Sequence, residues 1–381
     1  VQLRLFKSGI YLLETTYLSR LNEWKLNARL GWAASYKKFP DSPEIKYRKR
    51  FRDWEVCHSS AEEFESILRD LLPKFMPKTF LEGFQECQET NCKDSFFQKT
   101  KVIFTSNSHY DNDSFKHYAI DRVDKGAKLI IGQHGGGCLN RYEDVAEVEL
   151  LIADKYFSVG NGNNHINDKI VDIGQIFNRQ KYNKYNKKGP ALLVTVAMPQ
   201  YTDSLISAVL ATQMIKYFED QFSFYEGLTS QIKNSLKIRL YHGDLKWNQR
   251  ERWVEKFPNV QFDTNTKLDV AIESSRLFIG TYSATTFNLT LASNIPTIIY
   301  WDPNYWQLNK GSTKFFDDLK RVGIFHDNPA SASQQVIKVW DEIDEWWYGS
   351  ELQVIRERYC RAYAHKPKDL VGEIKNALTS L

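Results

Sequence analysis

Short β-branched runs along the chain stop abruptly at small polar or glycine-bearing turns, and stretches with apolar residues three or four apart lie between them. "KVIFTSNS" (101–108) is such a run, followed by the helical "SFKHYAIDRVDKG" (114–126), which closes on Gly126. "AKLIIGQHGGG" is the next strand and turn, and "EDVAEVELLIADKYFSVG" (143–160) reads as a helix leading into a strand. After the polar, basic "NRQKYNKYNKKGP" (178–190) the pattern restarts. "ALLVTVAMP", "KIRLYHGD", "RLFIGTYSATT" and "IPTIIYWDP" are predicted strands. The predicted helices between them are "DSLISAVLATQMIKYFED", "WNQRERWVEKF" and "FNLTLASN". Alternation of this kind predicts parallel α/β sheets. Residues 178–190 read as a linker between two α/β domains, 1–180 and 189–381, the second with a helical tail. Within the first hundred residues, "SSAEEFESILRDLLPKFMP" predicts a helix capped by Ser59 or Ser60 and ended by Pro73.

Length supports the division: 381 residues exceed the roughly 250–300 at which single cores stop growing. Lys and Arg number 51 against 47 Asp and Glu, too even a balance for a dedicated nucleic-acid binder. The local excess "YKKFPDSPEIKYRKRFR", Tyr36 to Arg52, reads as a solvated loop, with an anionic membrane surface as the functional counterpart. Five cysteines without C-x-x-C spacing suggest neither a disulfide framework nor a zinc site, and point to a reducing cytoplasm. The charged residues Arg4, Lys7 and Glu14 interrupt the first apolar stretch, so it reads neither as a secretion signal nor as a membrane span. The sequence begins at Val1, and it is expected to be part of a longer multidomain chain.

In open α/β sheets ligands bind at the carboxyl ends of strands. Candidate chemistry therefore lies in the turns. Gly135, Gly136 and Gly137 leave bare backbone N–H groups at a strand end, an anion nest to which Gln133 and His134 add donors. "GTYSATT" sets the hydroxyls of Tyr282, Ser283, Thr285 and Thr286 before a helix start, where a phosphate fits. "RLYHGDLKW" offers His242, Asp244 and Lys246, which share one side if the strand persists through Gly243. Asp203 is a helix cap or a carboxylate for catalysis, and Glu149 is the acid after the glycine turn expected to face the ligand. "DND" at Asp111–Asp113 lies in a polar loop and is discounted as a metal motif; no metal site is expected.

The succession "IIGQHGGG", "LYHGDLKW", "GTYSATTF…LASNIPTIIYWDP" and "FFDDLKRVGIF" resembles bacterial surface-carbohydrate transferases, over roughly residues 100–325. Within them it resembles the retaining β-Kdo glycosyltransferases of O-antigen biosynthesis. The resemblance implies a GT-B-like α/β fold: two Rossmann-like domains with an inter-domain cleft, 1–180 on the acceptor side and 189–381 binding the nucleotide-sugar. It implies a CMP-β-Kdo donor, no metal, and transfer with retention to a lipopolysaccharide O-antigen or related lipid-linked or oligosaccharide acceptor. Distant similarity to sialyltransferases places His242 and Ser283–Thr286 at the CMP phosphate. Double displacement would use a carboxylate, with Asp203, Glu149 and Asp244 as candidates. Where the family pattern carries a Glu, this chain has Asn288-Leu289-Thr290, which puts a ribose contact there in question. The expected location is cytoplasmic, peripheral to the inner membrane. Alternatives are a transferase or epimerase using another nucleotide-sugar, and a non-catalytic glycan-binding domain of a larger biosynthetic protein.

Overall fold

The structure is a computed structural model. It describes the chain apart from residues 1–9, 37, 42–43, 57–61, 93–96, 137, 142–145, 163–166, 177–184, 202–208, 265–266 and 381, and the side chains of 90–92, 97 and 211. Two sheets form. The first contains β1 (Tyr11–Glu14), β2 (Ala34–Tyr36), β3 (Val102–Thr105), β4 (Lys128–Gly132), β5 (Lys155–Ser158) and β6 (Ile170–Asp172), in the order β2-β1-β3-β4-β5-β6. The second contains β7 (Ala191–Val194), β8 (Leu236–Arg239), β9 (Leu277–Gly280), β10 (Thr297–Tyr300) and β11 (Phe325–His326), in the order β11-β10-β9-β7-β8. The pairs β1–β2, β1–β3, β3–β4, β5–β6, β7–β8, β7–β9, β9–β10 and β10–β11 are parallel. Among the described residues, helices lie between consecutive strands of each sheet except β5 and β6, as parallel crossovers usually require. Two parallel, Rossmann-like α/β sheets in one chain are what the alternation predicts, and they fit the GT-B-like class that the resemblance implies.

By strand membership the chain changes sheet between Asp172 and Ala191, across the segment expected as a linker. By compactness it divides into Val1–Gly132 with Leu378–Leu381, and Gln133–Ala377.

The second sheet shows why its inner strands β7, β9 and β10 are mostly apolar. Leu192, Val194, Phe278 and Ile299 join the buried cluster on one face. Ala191, Leu193, Leu277, Ile279, Ile298 and Tyr300 join the cluster on the other. Alternate side chains point to opposite faces, and both faces are covered, so each position is selected for burial. Much of the aromatic content is core: Trp253, Trp347, Tyr300 and Tyr359 are among the largest fully buried side chains.

Three expectations change. The helix Glu63–Phe75 continues through Pro73, and Ser59 and Ser60 lie outside the described residues. Proline lacks an N–H, but the amide of Met76 still reaches Leu72 O at 3.0 Å, and the Arg52 guanidinium bonds the carbonyls of Pro73 and Lys74 at 3.0 and 2.9 Å. The helix expected from Asp203 is described only as Ala211–Glu226; Val209 at φ 66° is not helical, so the run is not one helix. The strand expected through "YHGD" ends at Arg239. Leu245, Lys246 and Asn248 then adopt positive φ, which breaks the alternation that would have aligned His242, Asp244 and Lys246.

Candidate functional site

The glycine turn is braced from within. Gln133 is buried; its backbone N–H donates to Phe157 O at 2.8 Å, and its side chain accepts from Val159 N at 3.0 Å. The same side chain donates to Gly135 O at 2.6 Å. The carboxamide expected to meet a ligand therefore holds the turn's shape. His134 Nδ1 lies 3.7 Å from Glu149 Oε1, and Glu149 is only 1% exposed. Two residues singled out separately thus form one pair, Glu149 buried and His134 half-buried.

Gly135 and Gly136 have a neighbour that accounts for them. A Cβ on Gly136 would fall 2.5 Å from Asn288 Nδ2 and 2.7 Å from Thr285 Cα. One on Gly135 would approach Thr285 Oγ1 to 3.0 Å. The turn lies directly on the first residues of the helix Thr285–Ala292, and Gly136 N–H donates to Thr285 Oγ1 at 2.8 Å. Close backbone approach is a sufficient reason for glycine here. The following residues are tied down as well: Asn309 Nδ2 donates to Leu139 O at 2.7 Å, and Ser312 Oγ to Asn140 O at 2.6 Å.

The hydroxyl turn at the carboxyl end of β9 is largely buried. Thr281 Oγ1 donates to Val194 O at 2.9 Å and lies 2.5 Å from the Tyr217 hydroxyl, fixing the turn to β7. Burial raises the Tyr282 phenol above its usual range, against an opposing hydrogen bond with Thr286; nearby Tyr241 raises it further. Ser283 is 2% exposed, and its Oγ has no hydrogen-bond partner among the described residues. Ala284, the residue before the helix, has no side-chain oxygen with which to cap it.

The third turn is different. His242 is exposed and its ring lies against Tyr241, centroids 4.4 Å apart. Lys246 is exposed, with Nζ 5.8 Å from the Tyr201 ring centre. Asp244 accepts from the amides of Gln249 at 2.7 Å and Asn248 at 2.9 Å. These bonds hold its carboxyl below the usual range, Gln249 contributing most. It thus satisfies the first amide of the helix Gln249–Lys256 from the turn before it.

A model of the LIC12162 family transferase matches residues 2–378. The chain belongs to that family. No curated protein matches it. Among solved structures, it is similar to the wall teichoic acid polymerase TagF at 13% identity and TM-score 0.48, over 98% of this chain and 89% of that one. It is also similar to Acinetobacter baumannii MurG at 10% identity and TM-score 0.48, over 97% and 99%. A Staphylococcus aureus MnaA–UDP co-structure matches at 9% identity and TM-score 0.49, over 97% of each chain.

In this transferase Gln133, His134, Gly135, Gly136, Glu149 and Thr285 gather at one place, with Tyr282, Ser283 and Thr286 in the adjoining turn. His242 and Lys246 stand on the exposed turn after β8, next to Tyr241. Asp203 and Gly137 lie outside the described residues. Among the described residues no group of three or more His, Cys, Asp or Glu is placed to hold a metal ion. Sequence reasoning missed the support beneath the site. Asn288 is 1% exposed, and its Oδ1 accepts from Tyr359 OH at 2.9 Å. The stretch Asn288-Leu289-Thr290 was noted only for lacking a Glu; nothing local pointed to Tyr359, which is 71 residues away.

Proposed function

We propose that this transferase is a glycosyltransferase that carries a sugar from a nucleotide donor to a growing surface glycan. The donor is CMP-β-Kdo, configuration is retained, and the acceptor belongs to a lipopolysaccharide O-antigen or a related glycan. The observation that carries the reading is the 2.8 Å bond from Gly136 N–H to Thr285 Oγ1, which joins two motifs singled out independently. A helix start carries partial positive charge and free amides, so the donor phosphate belongs at Ser283, Thr285 and Thr286 with Tyr282 beside it. His242 and Lys246 complement the phosphate from the turn after β8. The glycine turn after β4, with His134, would meet the donor's own carboxylate through backbone N–H groups. The departing CMP bears one phosphate, which hydroxyls and cations stabilise without a metal.

Retention follows from double displacement. A carboxylate attacks the anomeric carbon as its bond to the CMP oxygen breaks. The acceptor hydroxyl then displaces that carboxylate and gives up its proton to a base. Glu149, Asp203 and Asp244 are the candidates. Glu149 is favoured because it is buried beside His134, whereas Asp244 already accepts two backbone amides, those of Asn248 and Gln249.

Thermal melting with nucleotides tests the reading. CMP is expected to raise Tm and UDP to leave it unchanged; stabilisation by UDP alone overturns the donor and favours another nucleotide-sugar enzyme. Glycan binding with no nucleotide response and no turnover of CMP-β-Kdo makes the chain a non-catalytic binding domain. NMR of the anomeric configuration in the product decides retention.

A further inference from the structure

The helix Glu63–Phe75 is amphipathic in the reverse of the usual sense. Phe64, Ile67, Leu68, Leu71, Leu72 and Phe75 recur at helical spacing, and every one is exposed, from 37% at Leu71 to 75% at Phe75. The residues turned inward are Ser66, Arg69, Pro73 and, just past the helix, Met76. An apolar stripe facing water is abnormal for a core-packed helix and marks a docking surface.

What stands beside it identifies the occupant. Arg52 bonds the carbonyls of Pro73 and Lys74 and forms a two-pronged pair with Glu82, both N···O distances 2.8 Å. This ties the segment "KYRKRF" to the carboxyl end of the helix. In that segment Lys46, Tyr47, Arg48, Lys49, Arg50 and Phe51 are all exposed. Lys74 and Lys78 are exposed at the same end. Acidic Glu62, Glu63 and Glu65 lie at the opposite end and Asp70 lies between; Glu65 is paired with Arg69. An apolar stripe next to cations and aromatic rings matches an anionic lipid surface: acyl chains for the stripe, headgroups for Lys and Arg, the interface for Tyr and Phe. The helix has 13 residues and spans about 20 Å, short of the roughly 30 Å hydrocarbon layer, so it lies in the interface. Among the described residues no helix is long and apolar enough to cross a membrane.

We propose that the helix Glu63–Phe75 and the basic segment clamped to it form a docking surface for an anionic membrane. This would bring the chain to lipid-linked acceptors, yet it does not rest on the choice of sugar donor.

Co-sedimentation of the full chain with phosphatidylcholine vesicles, with and without phosphatidylglycerol, tests it. Binding is expected with phosphatidylglycerol, weakened about tenfold or more by its omission and weakened by high salt. The double variant Phe64→Ser/Phe75→Ser and, separately, Arg48→Glu/Lys49→Glu should each lose about tenfold or more. All four residues are exposed, so circular dichroism and Tm should stay unchanged. Absent binding, or either variant binding like the parent, overturns the proposal. So does a Phe variant that turns a dimer into a monomer while vesicle binding persists, since the stripe then joins two copies of the chain. The nucleotide response in the same samples is independent, so failure of one reading is separable from failure of the other.

Discussion

Gly136 carries the tightest constraint at the site. A methyl group there meets backbone atoms of Thr285 and Ala284 as well as the Asn288 side chain, and backbone yields less than a flexible side chain. Gly136→Ala is therefore expected to cost about 1–3 kcal/mol of stability by overpacking, read by chemical denaturation. An unchanged midpoint would mean that the turn and the helix Thr285–Ala292 do not touch in solution. The carboxylates separate by a different measurement. Glu149→Gln keeps shape and removes charge, so turnover should fall by about 10²–10⁴-fold with nucleotide affinity kept. Asp244→Ala should instead cost about 0.5–2 kcal/mol as a lost cap, with transfer retained. The opposite pattern exchanges their roles. His134, Gly135 and Glu149 were visible in the sequence as residue types after a strand. The pairing of His134 with Glu149 was not, because periodicity does not say where a later helix returns.

The Arg52–Glu82 pair matters at the scale of elements, because it joins the basic segment to the end of the helix Glu63–Phe75. Hydrogen bonds from Arg52, then backbone amides, lower the Glu82 pKa to about 2 against burial. A carboxyl with a depressed folded pKa stabilises the fold above its unfolded pKa and loses that contribution as pH falls towards the folded one. The clamp is thus intact above pH about 4.5 and fails between there and about 2. In a pH series of Tm, the parent should lose its advantage over Glu82→Gln across that window. A constant difference would show that the pair contributes no pH-dependent stability. The strands β3, β4, β5, β7, β8, β9 and β10 were legible as short apolar runs, whereas β1, β2, β6 and β11, of two to four residues each, were not. The end of the helix at Phe75 was not legible either, because Arg52 takes up the carbonyls near Pro73 from a distant stretch of chain.

At the scale of the molecule, the last residues return to the first compact unit: Leu378, 1% exposed, belongs with Val1–Gly132. Leu378→Ala is expected to cost about 2–5 kcal/mol, measured by denaturant unfolding, as for other large-to-small core changes. A cost under about 1 kcal/mol would place Leu378 outside that core. The chain's own order of residues determined that parallel α/β sheets would form, where most strands end, and that polar turns would carry the candidate chemistry. Those features depend on local hydrophobic period and turn composition. Tertiary structure alone decided that Gly136 would rest on Thr285, that Tyr359 would support Asn288, that Asp244 would cap a helix, and that the stripe from Phe64 to Phe75 would face water. Each of these depends on which distant surfaces are brought together, and an amphipathic period specifies a face without specifying what lies against it.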